Sequence, residues 1–168
     1  FEELFLFTIG LRRLRQRRET VSVVPFQKVD MAPFYDALPF TLTDAQRRCV
    51  EEAIADMSSG APMNRLCQGD VGSGKTMVAA ACVYFCVKNG RQAALMAPTE
   101  ILARQHFTGL SPLLEKLGIR CVLLTGSTSA REKKAVTARL AAGEADFAIG
   151  THALISQGVD YQNLGLVV

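Results

Sequence analysis

The chain holds 168 residues, 49% hydrophobic and 21% charged, a balance that excludes an intrinsically disordered chain and suffices for a packed core without disulfide staples. No apolar run reaches the ~18 residues of a membrane-spanning helix, and the first apolar residues precede the basic ones, the reverse of a secretory leader. A net charge of +3 is too mild to mark a nucleic-acid binder by itself.

Residues 1–19 read as a helix, with Leu4, Phe7, Leu11 and Leu14 on one side. Arg12, Arg13, Arg15, Arg17 and Arg18 crowd its second half, either as a solvated face or as a phosphate-contacting patch. The chain opens on Phe1 rather than Met, which suggests a piece of something longer. Pro25, Pro33 and Pro39 then punctuate an extended connector, and the domain boundary is expected here: 1–39 as linker helix and connector, 40–168 as the folded domain.

Thr43 opens a helix in capping-box spacing with Gln46, and Val50, Ile54 and Met57 form its inward stripe. Asn64–Gln68 reads as a short strand, and Thr76–Asn89 as an apolar helix ended by Gly90. A strand follows at Gln92–Ala97, a helix from Glu100 to Leu117, and a strand at Arg120–Leu124. Ser129 and Glu132 cap a helix to Ala142; Ala145–Ile149 is a strand, and Leu164–Val168 begins another. Alternation of apolar strands with helices predicts an α/β fold, a parallel sheet covered on both faces, with ligands at the carboxyl ends of its strands. Cys49, Cys67, Cys82, Cys86 and Cys121 include no C-x-x-C pair and read as reduced, small hydrophobes of a cytosolic core.

The chemistry is carried by Gly69-Asp70-Val71-Gly72-Ser73-Gly74-Lys75-Thr76, which fits G-x-x-x-x-G-K-[ST] at every fixed position. The glycines let backbone N–H groups converge on phosphate oxygens, and the following helix turns its positive end toward the same anion. Lys75 adds a charge for the β- and γ-phosphates, and the Thr76 hydroxyl is a Mg²⁺ ligand. A carboxylate for that metal is expected at the end of a second buried strand. The strands at 92–97, 120–124 and 145–149 run instead into Pro98, Thr125-Gly126 and Gly150-Thr151, and the last reaches Val168 without an acid. The carboxylate is therefore expected beyond Val168.

Three strand-end loops share a composition: Ala97-Pro98-Thr99-Glu100, Leu124-Thr125-Gly126-Ser127 and Gly150-Thr151-His152-Ala153. Hydroxyls and main-chain amides at a sheet edge suit a nucleic-acid backbone, which they position without reading its bases. Helix caps at Thr99 and Thr151, and a surface turn over Thr125–Ser129, are the competing explanation.

Leu38-Pro39-Phe40-Thr41-Leu42-Thr43 with Gln46, the stretch Met63–Thr76, Ala97–Ala103 with Gln105-His106, and Gly150–Leu154 together resemble the first motor domain of the bacterial RecG-type ATP-dependent DNA helicases of superfamily 2. The resemblance covers about residues 38–168, and the helix at 1–19 resembles the linker to that family's wedge domain. It implies a RecA-like P-loop NTPase fold with a three-layer parallel sheet, using ATP and Mg²⁺ in the bacterial cytoplasm. Lys75 and Thr76 would be the catalytic Walker A pair, and Gln46 would recognise adenine in competition with its capping role. Pro98, Thr99, Glu100, Thr125, Gly126, Ser127, Gly150, Thr151 and His152 would face the DNA backbone. The whole protein would remodel branched DNA in recombination and repair. The Asp-Glu box, the second motor domain with its arginine finger, and the wedge domain fall outside this chain, so the fragment alone is expected to be catalytically incompetent. The motor of a transcription-repair coupling translocase, a non-catalytic nucleotide-binding module, and self-association through the seam of residues 1–19 are the alternatives.

Overall fold

Near-continuous apolar stretches become buried parallel strands. The computed structural model describes residues 5, 7–9 and 23–168. Its strands β1 (Gln92–Met96), β2 (Cys121–Leu124), β3 (Phe147–Gly150) and β4 (Leu164–Val167) form one all-parallel sheet in the order β2-β3-β1-β4. Helices α1 (Ala32–Asp36), α2 (Asp44–Met57), α3 (Lys75–Lys88), α4 (Glu100–Lys116) and α5 (Ala130–Ala141), with a 3₁₀ turn at His152–Ile155, complete the described elements after residue 22. Of the helix expected over 1–19, Phe5, Phe7, Thr8 and Ile9 are helical; the remainder, with the arginine cluster, lies outside the described residues.

Side-chain alternation divides the core between the two faces of the sheet. Ala93, Leu95, Phe147 and Ile149 point into a large cluster with α2, α3 and α4, whereas Val122, Leu124 and Ala148 meet Leu140 of α5 and Leu154 of the 3₁₀ turn. The layering is helix, sheet, helix. Helix α3 is apolar nearly all round, and Ala80 through Cys86 are buried without a gap, which suits an element enclosed on several sides. The helix starts follow the capping chemistry: both reciprocal bonds of the box are made at Thr43/Gln46 and at Ser129/Glu132, and Thr99 caps α4.

The structure departs from expectation at one strand and one cysteine. Asn64–Gln68 forms no strand. Its residues run exposed beside the outer edge of β4, separated from it by an open cleft of about 530 Å³ whose walls include Leu66, Cys67, Leu166 and Val167. A strand needs a ladder partner within about 4.8 Å, and β1 and β3 are already paired elsewhere. The extended connector packs against the helices that follow it. Phe34 is fully buried, Phe26 packs on Phe85 at 5.9 Å between ring centroids, and Gln27 exchanges two hydrogen bonds with Asn89. Pro33 sits in the first turn of α1, where its missing N–H breaks no bond. Residues 23–39 thus share the core of 40–168. Cys67 is exposed, against the core role expected of all five cysteines, while Cys82, Cys86 and Cys121 are buried and their thiols pushed up by burial to about 11, about 12 and about 11.

Two polar anchors close the amino-terminal edge of the sheet. The buried Gln92 amide donates to the Leu140 and Ala145 carbonyls (2.9 and 2.7 Å) and accepts from the Asn163 N–H (3.0 Å), tying three connections together. Arg120 grips Asp146 with two guanidinium N–H groups and its own backbone N–H, at 2.7–2.8 Å. Burial raises the Asp146 pKa, but the bonds from Arg120 outweigh it and hold the carboxyl below its ordinary 3.8. A depressed folded-state value means stability that is complete above 3.8 and lost as pH falls through the folded value. Asp146→Asn is therefore expected to lower stability at pH 7 and to flatten its fall below pH 4; parallel pH dependences for variant and wild type in urea titrations would sink this assignment.

Because all four strands run the same way, their carboxyl ends share one edge. The loops at 97–99, 125–129 and 151 open onto it.

Candidate nucleotide site and nucleic-acid interface

The glycine-rich loop leads directly into α3. Gly72 and Gly74 have φ of +80° and +79°, a left-handed backbone that side chains rarely adopt. Gly74 is the N-cap of α3, and a Cβ there would collide with the Gln46 amide nitrogen. The loop is held by Ser73 N–H to the Asp70 carbonyl (3.2 Å). Lys75 reaches back across it, its Nζ donating to the carbonyl oxygens of Gly69 (2.5 Å) and Asp70 (2.6 Å). Asp70, Val71, Gly72 and Ser73 are exposed, and Lys75 and Thr76 half-buried in the first turn of a 14-residue helix. The arrangement is a small positive bowl, a helix N-terminus and an ammonium close together.

Gln46 bridges this bowl to α2. Its Oε1 accepts from the Thr43 N–H (2.9 Å), and its Nε2 donates to the Ser73 carbonyl (2.8 Å). Capping therefore uses the oxygen and loop-holding the nitrogen, and both are met at once. One amide hydrogen and one lone pair are left for a ligand.

The expected DNA-facing residues separate by exposure. Pro98, Thr99, Gly126, Ser127 and His152 are exposed, and Glu100 and Thr151 half-buried. Thr125, at 2% exposure, and Gly150 are buried. Thr125 is instead the floor of its loop: its N–H donates to Thr128 Oγ1 (3.0 Å), and its hydroxyl lies 3.2 and 3.3 Å from those of Ser127 and Thr128. This is a closed hydroxyl network rather than a free surface turn. Gly150 allows close packing, since a Cβ would overlap the Leu124 carbonyl of the neighbouring strand. The Thr99 hydroxyl accepts from Leu102 N–H (3.3 Å) as a cap, whereas Thr151 makes no side-chain cap.

Glu100 joins two loops. Its carboxylate accepts from the Ser127 N–H (2.8 Å) and the Ser127 hydroxyl (2.5 Å), and the hydroxyl bond is the main reason its pKa lies below the usual carboxylate range. Reading from sequence misses the residues that extend this tie: Arg104, which donates to Ser127 Oγ (3.2 Å), and Lys133, which donates to Ser156 Oγ (3.1 Å). Helical spacing puts Arg104 one turn beyond Glu100. No pattern in the chain links Lys133 to Ser156.

Comparison with known proteins places this geometry. A family model described as DEAD/DEAH box helicase matches residues 43–168. The ATP-dependent DNA helicase RecG of Streptococcus pneumoniae is 47% identical over 171 residues, covering 100% of this chain and 25% of that protein; RecG of Bacillus subtilis is 46% identical with the same coverage. The chain thus spans about a quarter of the length of these curated relatives. A solved structure of RecG bound to a three-way DNA junction superposes with a TM-score of 0.90 at 43% identity, over 99% of this chain and 23% of that one. A hypothetical ATP-dependent RNA helicase from Sulfolobus tokodaii, at TM-score 0.56 and 20% identity, shares the fold. With the family model matched along three-quarters of its residues, the chain belongs to the DEAD/DEAH box helicases, and it is similar along its whole length to RecG.

Proposed function

We propose that this chain is the ATP-binding motor lobe of a DNA helicase that couples ATP hydrolysis to the remodelling of branched DNA. One observation carries the reading: Lys75 shares a cleft with Val167 and Val168 at the carboxyl end of β4, and the three hydroxyl- and amide-bearing loops follow the carboxyl ends of β1, β2 and β3, so a nucleotide-driven movement has backbone contacts to act on. Bound Mg-ATP supplies the phosphoanhydride bond whose cleavage drives that movement. Lys75 exchanges the Gly69 and Asp70 carbonyls for phosphate oxygens, and the amides of 72–76 orient them. Thr76, in the first turn of α3, would ligate Mg²⁺ through its hydroxyl. Gln46 offers its remaining amide hydrogen and lone pair to an adenine edge.

The DNA-facing set is Pro98, Thr99, Gly126, Ser127, Thr151 and His152, with Glu100, Thr125 and Gly150 shaping the loops. Further domains of the full-length protein, a second motor domain and a wedge domain among them, complete the machine. The experiment is ATP-dependent strand displacement by the full-length protein on a labelled three-way junction. Displacement that needs ATP is expected; a protein that binds ATP and leaves the junction intact would overturn the reading.

A further inference from the structure

The strand-end loops are laterally tied, and the ties share a chemical oddity. Arg104 on α4 and Lys133 on α5 each donate to a serine hydroxyl, Ser127 and Ser156, and not to an acid. Among the described residues no carboxylate lies within salt-bridge distance of either cation, although Arg104 is near enough to Glu100 and Glu132 to help lower both their pKa values. Those two acids are committed elsewhere. Glu100 accepts from the Ser127 N–H and hydroxyl, and Glu132 takes the Ser129 N–H (3.2 Å) and hydroxyl (2.7 Å) on Oε2. Ser156 in turn donates to the Ala153 carbonyl (2.8 Å), so its hydroxyl is fixed beneath Lys133.

A guanidinium has five N–H donors and an ammonium three. One side-chain bond to a neutral oxygen leaves most of that donor capacity unspent, although Glu100 and Glu132 attract Arg104 from nearby. Each hydroxyl holds its cation at the rim of a loop without neutralising it, which limits the side-chain freedom lost when an anion arrives. The loops between them offer hydroxyls and amides, neutral groups that position a nucleic-acid backbone but do not balance its charge.

We propose that Arg104 and Lys133 are phosphate-binding residues of the DNA interface, held ready by Ser127 and Ser156 and contacting the sugar-phosphate backbone on either side of the 125–129 loop. The proposal rests on the DNA-motor reading above and assigns the charge that the neutral loops lack. Arg104 is exposed on α4; Lys133 is half-buried with its ammonium toward the 3₁₀ turn. Arg104 thus reaches the 125–129 loop, and Lys133 the end of the 3₁₀ turn.

Each phosphate contact releases counterions, so its loss changes how affinity depends on salt. The test uses the full-length protein with Arg104→Gln, with Lys133→Gln and with both, alongside Arg104→Lys and Lys133→Arg. Binding to a fluorescent three-way junction is followed by anisotropy between 50 and 200 mM salt, where affinity for such contacts falls steeply. Each glutamine variant is expected to make the slope of log K against log salt shallower by about 0.7–0.9, and the pair by about twice that. The charge-preserving variants should keep the wild-type slope even if their affinity drops, because a merely structural contact would move affinity and leave the slope alone. Wild-type slopes in both glutamine variants would overturn the assignment, and a change restored by neither Lys nor Arg would assign it to the loops' shape. If the wild-type protein itself bound the junction without salt dependence, the failure would belong to the DNA reading.

Discussion

Lys75→Ala in the full-length protein is expected to weaken ATP binding about 100-fold and to move the melting temperature by less than about 2 °C. The two effects separate because of where the ammonium sits. Its bonds are to two exposed loop carbonyls, Gly69 and Asp70, which water satisfies once the side chain is gone. Bound phosphates lose more: a charge-assisted bond of this kind contributes about 1.5–3 kcal/mol, and the field of the α3 N-terminus remains without its closest full charge. Nucleotide binding followed by a fluorescent ATP analogue reads the first effect, and thermal unfolding the second. Undiminished binding would remove Lys75 from the site. Loss of both binding and fold would mean the lysine is a structural strut of the loop.

Gly150→Ala carries the largest expected cost in stability, about 3 kcal/mol, because the clash is between rigid parts. A Cβ at 150 would overlap the Leu124 carbonyl and approach its carbon and Leu154 Cγ at 3.0 Å. Gly150 and Leu124 are direct partners in the β2–β3 ladder, so relief means prising two strands apart beneath the 3₁₀ turn. Gly126→Ala makes the internal comparison. Its Cβ would stand 3.1 Å from Glu100 Oε1, the tip of a rotatable side chain, and the cost is expected below about 1 kcal/mol. Chemical denaturation of both variants decides the matter. Equal costs would show that the β2–β3 contact yields as easily as a surface carboxylate.

The backbone of the glycine-rich loop is legible in the sequence, because glycine answers the local demand for a left-handed conformation at 72 and 74. The helix starts were equally local, since a capping box closes within four residues. Strands β1 to β4 stood out as apolar runs between glycines and prolines. The misreadings were non-local. Asn64–Gln68 forms no strand, because a strand is a relation between two segments and no described segment pairs with it. The connector's prolines hid Phe26 and Phe34, whose burial depends on the surface that α3 offers them. Thr125 and Gly150 carried the motif's residue types while serving the loops from beneath. The ties from Glu100 and Arg104 to Ser127 and from Lys133 to Ser156 cross 23–27 residues of chain, so only the fold brings those partners together.

On the proposed function, a nucleotide site at 69–76 and a DNA-backbone site along the strand-end loops share this lobe. Amide hydrogen exchange on the full-length protein tests it most directly, with Mg-ATP, a three-way junction, or neither present. Protection of 69–76 by nucleotide and of 98–100, 126–129 and 151–156 by the junction is the predicted result. Junction-induced protection that bypasses all three strand-end loops, or nucleotide that leaves 69–76 exchanging as in the free protein, would contradict it.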